Sequence, residues 1–257
     1  MPELPDVEIY KQYFEEHFLN KKVKDVEVLN SKVAPDFPKQ ALIGHTFTEA
    51  SRTGKYLMAK LDHGKILSLH FGMTGFLKYT EAESPEYTHF IIHFENGSSM
   101  AFSDTRKLGH INVFDNATDF ISNYQLGPDA LEISKEAFLA LVLSKSGMIK
   151  STLTNQKYIA GIGNVYADEI LYQASIHPQT RCKSLSNEEV EHLYHCMRDV
   201  LTQSIKASAI PDNLPKNFLT PKRGEQDTCP EGRGSIKKLK VAGRSTYICS
   251  ENQKIKK

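Results

Sequence analysis

The stretch THFIIHFENGSSMAFSD, residues 88–104, constrains the fold more than any other part of the chain. Its Asn96-Gly97 pair sits between two apolar runs, and Asn-Gly accepts the positive φ angles that a tight hairpin turn demands. A second stretch of the same kind, KYLMAKLDHGKILSLHF over residues 55–71, turns at His63-Gly64. Two such hairpins predict that the first half is antiparallel β, arranged as a sandwich.

From about Asn123 the texture changes. SKEAFLALVLSKS and SNEEVEHLYHCMRDVLTQSIKAS read as helices. In the second, Ser186 and Glu189 have capping-box spacing, and Val190, Leu193, Tyr194, Met197, Leu201 and Ile205 form one apolar stripe. Cys196 lies beside that stripe and is expected in the core. IPDNLPKNFLTPKRGEQDTCPEG is expected to be an exposed loop. A last hairpin follows, SIKKLKV-AGR-STYIC, with Ala242, Gly243 and Arg244 at its tip. The fold class is α+β, with boundaries expected at 1–122 for the sandwich and its opening helix, 123–212 for the helical domain and 213–257 for the terminal hairpin. A chain of 257 residues has room for two cores.

No run of about 18 apolar residues is present, and the amino terminus has no basic segment followed by an apolar one. A membrane span and a secretory signal are therefore not expected, and the cytoplasm is the default location. Cys182, Cys196, Cys229 and Cys249 include no C-x-x-C pair, so neither a disulfide framework nor a redox motif is expected. The net charge of +1 hides an asymmetry: from Pro215 onward eleven Lys and Arg face four Asp and Glu, which leaves the first 214 residues at −6. A basic tail on an acidic body suits a polyanion partner, and equally a solvated surface.

The opening, MPELPDVEIYKQYFEEHF, reads as an amphipathic helix entered through Pro2 and Pro5. Methionine before proline is normally removed, which would leave Pro2 with a free secondary amine. A terminal amine has a pKa of about 7.7–8.0 against about 10.4 for lysine, so an appreciable fraction is nucleophilic near pH 7. Attack by a secondary amine on a sugar or carbonyl carbon gives an iminium with a fixed positive charge and no N–H to lose, a strong electron sink. Glu3, beside it and near a helix N-terminus, is the natural proton donor and acceptor. The alternative is that both prolines only start a helix, where proline is favoured.

PELPDVE resembles the amino-terminal signature of the formamidopyrimidine-DNA glycosylase and endonuclease VIII family, whose members use the terminal proline in this way on damaged DNA. Leu4 is similar to the formamidopyrimidine branch, and Asp6 stands where that branch has glutamate. The resemblance continues in order along nearly the whole chain. GKYLMAKL implies a lysine near the lesion's phosphate, Lys55. LHFGMTG implies that Met73 enters the gap left by the extruded nucleotide. FSDTRKLGH places Arg106 opposite the orphaned base and puts Leu108 where relatives carry a phenylalanine wedge. NQKYIAGIGNVYADEILYQASIHP resembles the family's helix-two-turn-helix, in which Gly161 and Gly163 would expose N–H groups to a phosphate and the Asn164 side chain would donate alongside. His89 and Lys157 are assigned to DNA contact on the same ground. Filling the hole left by a flipped base with apolar side chains and an arginine offsets an unstacking cost of a few kcal/mol.

The resemblance thus implies a bifunctional enzyme, monomeric and working on damaged double-stranded DNA held between two domains. It would excise oxidised bases of the 8-oxoguanine or formamidopyrimidine type and then cleave the strand by β,δ-elimination. Pro2, Glu3, Lys55 and Arg244 would be catalytic. An endonuclease VIII-like taste for oxidised pyrimidines, and a protein that binds damage without cleaving, stay open as alternatives. Lesion choice depends on a pocket loop within residues 207–222, where the resemblance is loose. The family commonly ends in a hairpin whose zinc is held by C-x-x-C at each end. Here Cys229 and Cys249 remain, and Gly232 and Asn252 stand at the second positions. Structural zinc needs four ligands, so no metal and no cofactor is expected, and Arg244 at the tip would still reach phosphates flanking the lesion.

Overall fold

A computed structural model describes residues 1–223, 228–230, 232 and 234–256. The chain forms two compact units, Met1–Pro2 with Asp6–Gln125, and Glu3–Pro5 with Leu126–Lys257.

The first unit is built on α1 (Leu4–Phe18) and eight strands. Val7, Tyr10, Phe14 and Phe18 recur at helical spacing, and all but the half-buried Tyr10 are fully buried. The strands are β1 (Val23–Val28), β2 (Phe47–Thr53), β3 (Tyr56–Leu61), β4 (Ile66–His70), β5 (Phe76–Thr80), β6 (Thr88–Phe94), β7 (Ser99–Ser103) and β8 (His110–Phe114). They pair antiparallel into two four-stranded sheets, ordered β1-β6-β7-β5 and β2-β3-β4-β8. Both expected hairpins form: Leu57 pairs with Leu69 across β3 and β4, and Ile91 with Ala101 across β6 and β7. One core joins the inner faces of the two sheets, with Phe14, Phe47, Phe90, Phe94 and Phe102 fully buried in it. Each such side chain contributes about 1.5–3 kcal/mol. A short helix, α2 (Ala117–Tyr124), is capped by the Asn116 side chain, which accepts from the Asp119 N–H.

The second unit holds α3 (Lys135–Ser144), α4 (Ile149–Leu153), α5 (Asn164–Gln173), α6 (Asn187–Lys206) and a hairpin of β9 (Ile236–Val241) and β10 (Arg244–Cys249). The capping box of Ser186 and Glu189 starts α6. Val190, Leu193, Tyr194, Met197 and Leu201 are buried in this unit's core, with Cys196 and Ile205 partly buried against it.

Two expectations are corrected here. The described part of the segment after α6 is not wholly an exposed loop: Leu214, Phe218 and Leu219 are buried, and short 3-10 turns form at Pro211–Asn213 and Thr220–Lys222, while residues 224–227 and 231 of that segment lie outside the described residues. The reason is Glu169 on α5, itself fully buried, whose carboxylate accepts the N–H groups of Leu219 and Thr220 and the Thr220 hydroxyl. A disulfide is present where none was expected, joining Cys229 to Cys249 with their Cα atoms 5.8 Å apart. Hairpin register brings the two together. Cys249 pairs with Ile236, and an isolated bridge between Thr228 and Ser235 carries the chain back beside it.

Candidate active site and nucleic-acid interface

In the second unit the chemistry centres on Glu3. Its side chain is buried, and its carboxylate accepts three backbone N–H groups at the start of α5: Gly163 at 2.8 Å, Val165 at 2.9 Å and Tyr166 at 3.2 Å. The helix whose N-terminus holds this carboxylate is therefore α5, not α1, which begins at the next residue. Leu4 follows as an anchor, with its N–H on the Gly161 carbonyl and its side chain in the core. Gly161 sits at φ +110°, and a Cβ there would come within 2.6 Å of Leu4 Cδ1, so only glycine permits this approach. Pro2 directly precedes Glu3 and is partly exposed.

Gly161 and Gly163 do not present free N–H groups. Gly161 donates to the Gln156 side chain and Gly163 to Glu3. The sequence reading is corrected on this point, because the backbone donors of this turn are taken up by side chains, one five residues away and one 160 residues away. The Asn164 side chain donates to the Ser245 carbonyl at 2.9 Å, which ties α5 to the first turn of β10. Lys157 is exposed.

Arg244 opens β10 and is exposed, after a two-residue turn in which Ala242 and Gly243 both have positive φ. Its strand rests on a buried network that the sequence did not reveal. Lys150 donates to Asp168 at 2.5 Å and to the Thr246 hydroxyl at 2.7 Å. Asp168 also accepts from Arg223 through two nitrogens at 3.1 Å and from the Tyr247 N–H. Burial pushes the Lys150 ammonium down and the Asp168 carboxyl up, while their mutual attraction opposes both shifts. No spacing signal points to this cluster, since Thr246 lies 96 residues beyond Lys150.

In the first unit, Met73 and Leu108 project from adjacent loops and are 40% and 50% exposed. A Cβ on Gly72 would fall 2.5 Å from the Gly109 nitrogen, so the loops meet backbone to backbone. Asp104 holds them there. It is fully buried and accepts from the Thr74 hydroxyl and from the N–H groups of Arg106 at 3.1 Å, Leu108 at 2.8 Å and Gly109 at 2.7 Å. Burial pushes the Asp104 carboxyl up, but these four donors together bring it below its ordinary value. Arg106 is exposed beside Leu108. His89, expected at the DNA surface, is instead buried beneath this loop, its Nε2 2.8 Å from the Asp104 carbonyl. Asp104 and Thr74 were missed, although FSDTRKLGH places an aspartate two, four and five residues before the N–H groups it binds.

Lys55 occupies the β2–β3 turn and is buried. It lies close enough to His70 that its charge helps hold that imidazole down. The segment 207–222, expected to shape the lesion pocket, turns sharply at Ser208 and Ala209, both at positive φ, before Glu169 fixes its far end.

Two family models match in chain order. The formamidopyrimidine-DNA glycosylase N-terminal domain covers residues 1–111, and the formamidopyrimidine-DNA glycosylase H2TH domain covers residues 126–213. Formamidopyrimidine-DNA glycosylase of Pelotomaculum thermopropionicum is 34% identical over 276 residues, which cover all of both chains. The Arabidopsis thaliana enzyme of that name is 30% identical over 279 residues, covering 99% of this chain and 71% of the relative. Among solved structures, Lactococcus lactis Fpg with an abasic site containing DNA superposes with a TM-score of 0.86 at 25% identity, over 98% of this chain and 99% of the other. MutM in complex with carbocyclic 8-oxo-G containing DNA gives 0.89 at 25%, over 98% and 100%. Fold and site together define a DNA glycosylase of the helix-two-turn-helix class. The chain belongs to the formamidopyrimidine-DNA glycosylase family.

Proposed function

We propose that this chain is a bifunctional DNA glycosylase and abasic-site lyase acting on oxidised purines of the 8-oxoguanine or formamidopyrimidine type. The observation that carries the reading is Glu3, placed directly after Pro2 and fixed by three N–H donors of α5. With Met1 removed, the Pro2 nitrogen attacks C1′ as the base leaves, and the sugar ring opens to an iminium. Glu3 serves the ring oxygen and later proton transfers. The iminium acidifies the C2′ proton; its loss expels the 3′ phosphate, a second elimination expels the 5′ phosphate, and hydrolysis frees Pro2.

The remaining residues bind and orient. Lys55 sits near the lesion's phosphate. Met73, Leu108 and Arg106 fill the hole left by the flipped base, with leucine giving apolar contact and no π-face. Arg244, Lys157 and Asn164 belong to the phosphate-binding side, which positions DNA without reading sequence. The protein acts as a monomer in the compartment that holds DNA, and no helix of the described residues is long and apolar enough to cross a membrane. The terminal hairpin works without zinc, because Gly232 and Asn252 supply no thiolate and Cys229 and Cys249 bind each other.

Borohydride trapping on duplexes carrying 8-oxoguanine, formamidopyrimidine, dihydrouracil or an abasic site tests the proposal. Hydride reduces the iminium to a stable amine, and peptide mapping should place the link on Pro2. A link on a lysine, or no link on any duplex, overturns the lyase mechanism. Preferred trapping on dihydrouracil overturns the substrate class.

A further inference from the structure

A second constellation lies on the first unit, at the turn joining β3 to β4, and uses none of the residues given a role above. Asp62 and His63 form that turn, and His45 stands just before β2. The donor atoms of all three lie within 4.8 Å of one another. His45 Nδ1 is 2.7 Å from Asp62 Oδ1, and His63 Nδ1 is 3.7 Å from the same oxygen. The two imidazoles stack nearly parallel, centroids 4.0 Å apart.

We infer that His45, Asp62 and His63 form a binding site for a late first-row divalent cation such as zinc, nickel or copper. Two imidazoles and one carboxylate are the donor set those ions prefer over magnesium or calcium, which take oxygen ligands. With metal–nitrogen bonds of about 2.0–2.1 Å, ligand atoms around a tetrahedral ion stand about 3.3 Å apart. The His45 and Asp62 atoms, at 2.7 Å, share a hydrogen bond that the ion would replace, and the two imidazoles, stacked at 9°, would turn about their side-chain bonds so that both nitrogens face it. All three side chains are partly or well exposed, so water fills the remaining coordination positions and an ion has an open path.

The backbone beneath is fixed, which separates this site from a chance meeting of surface side chains. The Asp62 N–H donates to the Thr46 carbonyl, and the Thr46 N–H donates back to Asp62 Oδ2 at 3.1 Å. The His45 N–H bonds to Leu42, and its carbonyl accepts from Val23. The His63 ring also hydrogen-bonds the backbone of Ala41, the outer contact that orients a histidine for a metal. Lys65, in a surface pair with Asp115, is the nearby cation that tempers affinity. A bound ion would clip the segment before β2 to the β3–β4 turn. The sequence reading expected no metal because Gly232 and Asn252 leave the terminal hairpin short of zinc ligands; it did not weigh His45 and Asp62, which stand 17 residues apart with no ligand spacing to join them.

Calorimetric titration of the chelator-treated full chain with zinc sulfate, without DNA, tests the site. One ion should bind per chain. His45→Ala and His63→Ala should each weaken binding by at least the roughly tenfold that losing an outer contact costs, and His63→Gln, which keeps a polar turn residue, should do the same. Replacing Cys229 and Cys249 by serine should leave the affinity unchanged, which separates this site from the hairpin. Base excision by His45→Ala should match the unaltered protein and so report intact folding. Absence of saturable binding, unchanged affinity in the histidine variants, or loss of binding only in the cysteine variant would each overturn the assignment.

Discussion

The Asn164 side-chain amide donates to the Ser245 carbonyl at 2.9 Å, one residue beyond Arg244. Removing it frees a strand carbonyl beside the residue proposed to grip phosphate. Asn164→Ala should therefore cost about 0.5–1.5 kcal/mol of stability and speed amide exchange in β10. DNA binding should fall to a similar extent for every lesion, as expected of a positioning contact. A loss confined to one lesion would mean instead that Asn164 reads the base.

Glu3 combines chemistry with support. Glu3→Gln should abolish base excision. It should also lower the melting temperature, because an amide NH2 facing N–H donors leaves at least one of them unsatisfied, at about 1–3 kcal/mol. Pro2→Gly should remove most strand scission with no such thermal loss. Differential scanning calorimetry beside a nicking assay checks both, and equal melting temperatures for Glu3→Gln and the unaltered chain would contradict the cap.

Asp104 is expected to matter more than the exposed residues it positions. Asp104→Ala leaves the N–H groups of Arg106, Leu108 and Gly109 without their acceptor and should cost about 3 kcal/mol or more. Met73→Ala and Leu108→Ala should leave stability within about 0.5 kcal/mol and reduce activity on duplex DNA. Chemical denaturation with single-turnover kinetics separates the two effects.

The terminal hairpin should depend on its cross-link. For a loop of about 20 residues, closing the Cys229–Cys249 bridge contributes about 3 kcal/mol. Reductant, or Cys229→Ser, should raise proteolytic sensitivity between residues 228 and 250 and lower activity, and added zinc should not restore it. Restoration by zinc would show that the cysteines hold metal.

His70 makes the first unit sensitive to acid. Burial, the stacked His110 and the Lys55 charge push its pKa down to about 3, and burial lowers His110 as well. Tyr56 and Tyr124 pack against this pair and stay neutral near pH 7, both shifted up by burial. The unfolded chain takes up a proton near pH 6.5 that the folded state refuses, so stability is full above that value. It should fall by about 1.4 kcal/mol per pH unit as pH drops toward about 3. His70→Gln should flatten that slope in urea titrations between pH 4 and 6.5; an unchanged slope would acquit His70.

The sequence by itself determined the local elements and the order of the chemistry. Asn96-Gly97 and His63-Gly64 set the hairpins, Ser186 and Glu189 set the start of α6, and PELPDVE with the motifs behind it identified the family, because each signal is carried by residues close along the chain. Tertiary structure decided what depends on partners far apart. Glu3 meets Gly163 across 160 residues, Lys150 meets Thr246 across 96, and Cys229 meets Cys249 only once the hairpin register is set. His89 was assigned to DNA contact from the sequence, and the sheet places its ring in a buried contact with the Asp104 carbonyl that no local signal announced. The backbone N–H of Gly163 looked free because its acceptor, Glu3, lies 160 residues away, and that of Gly161 because nothing local told that the Gln156 side chain turns back to it. A donor's partner is chosen by the folded geometry, and local sequence records only that a donor exists.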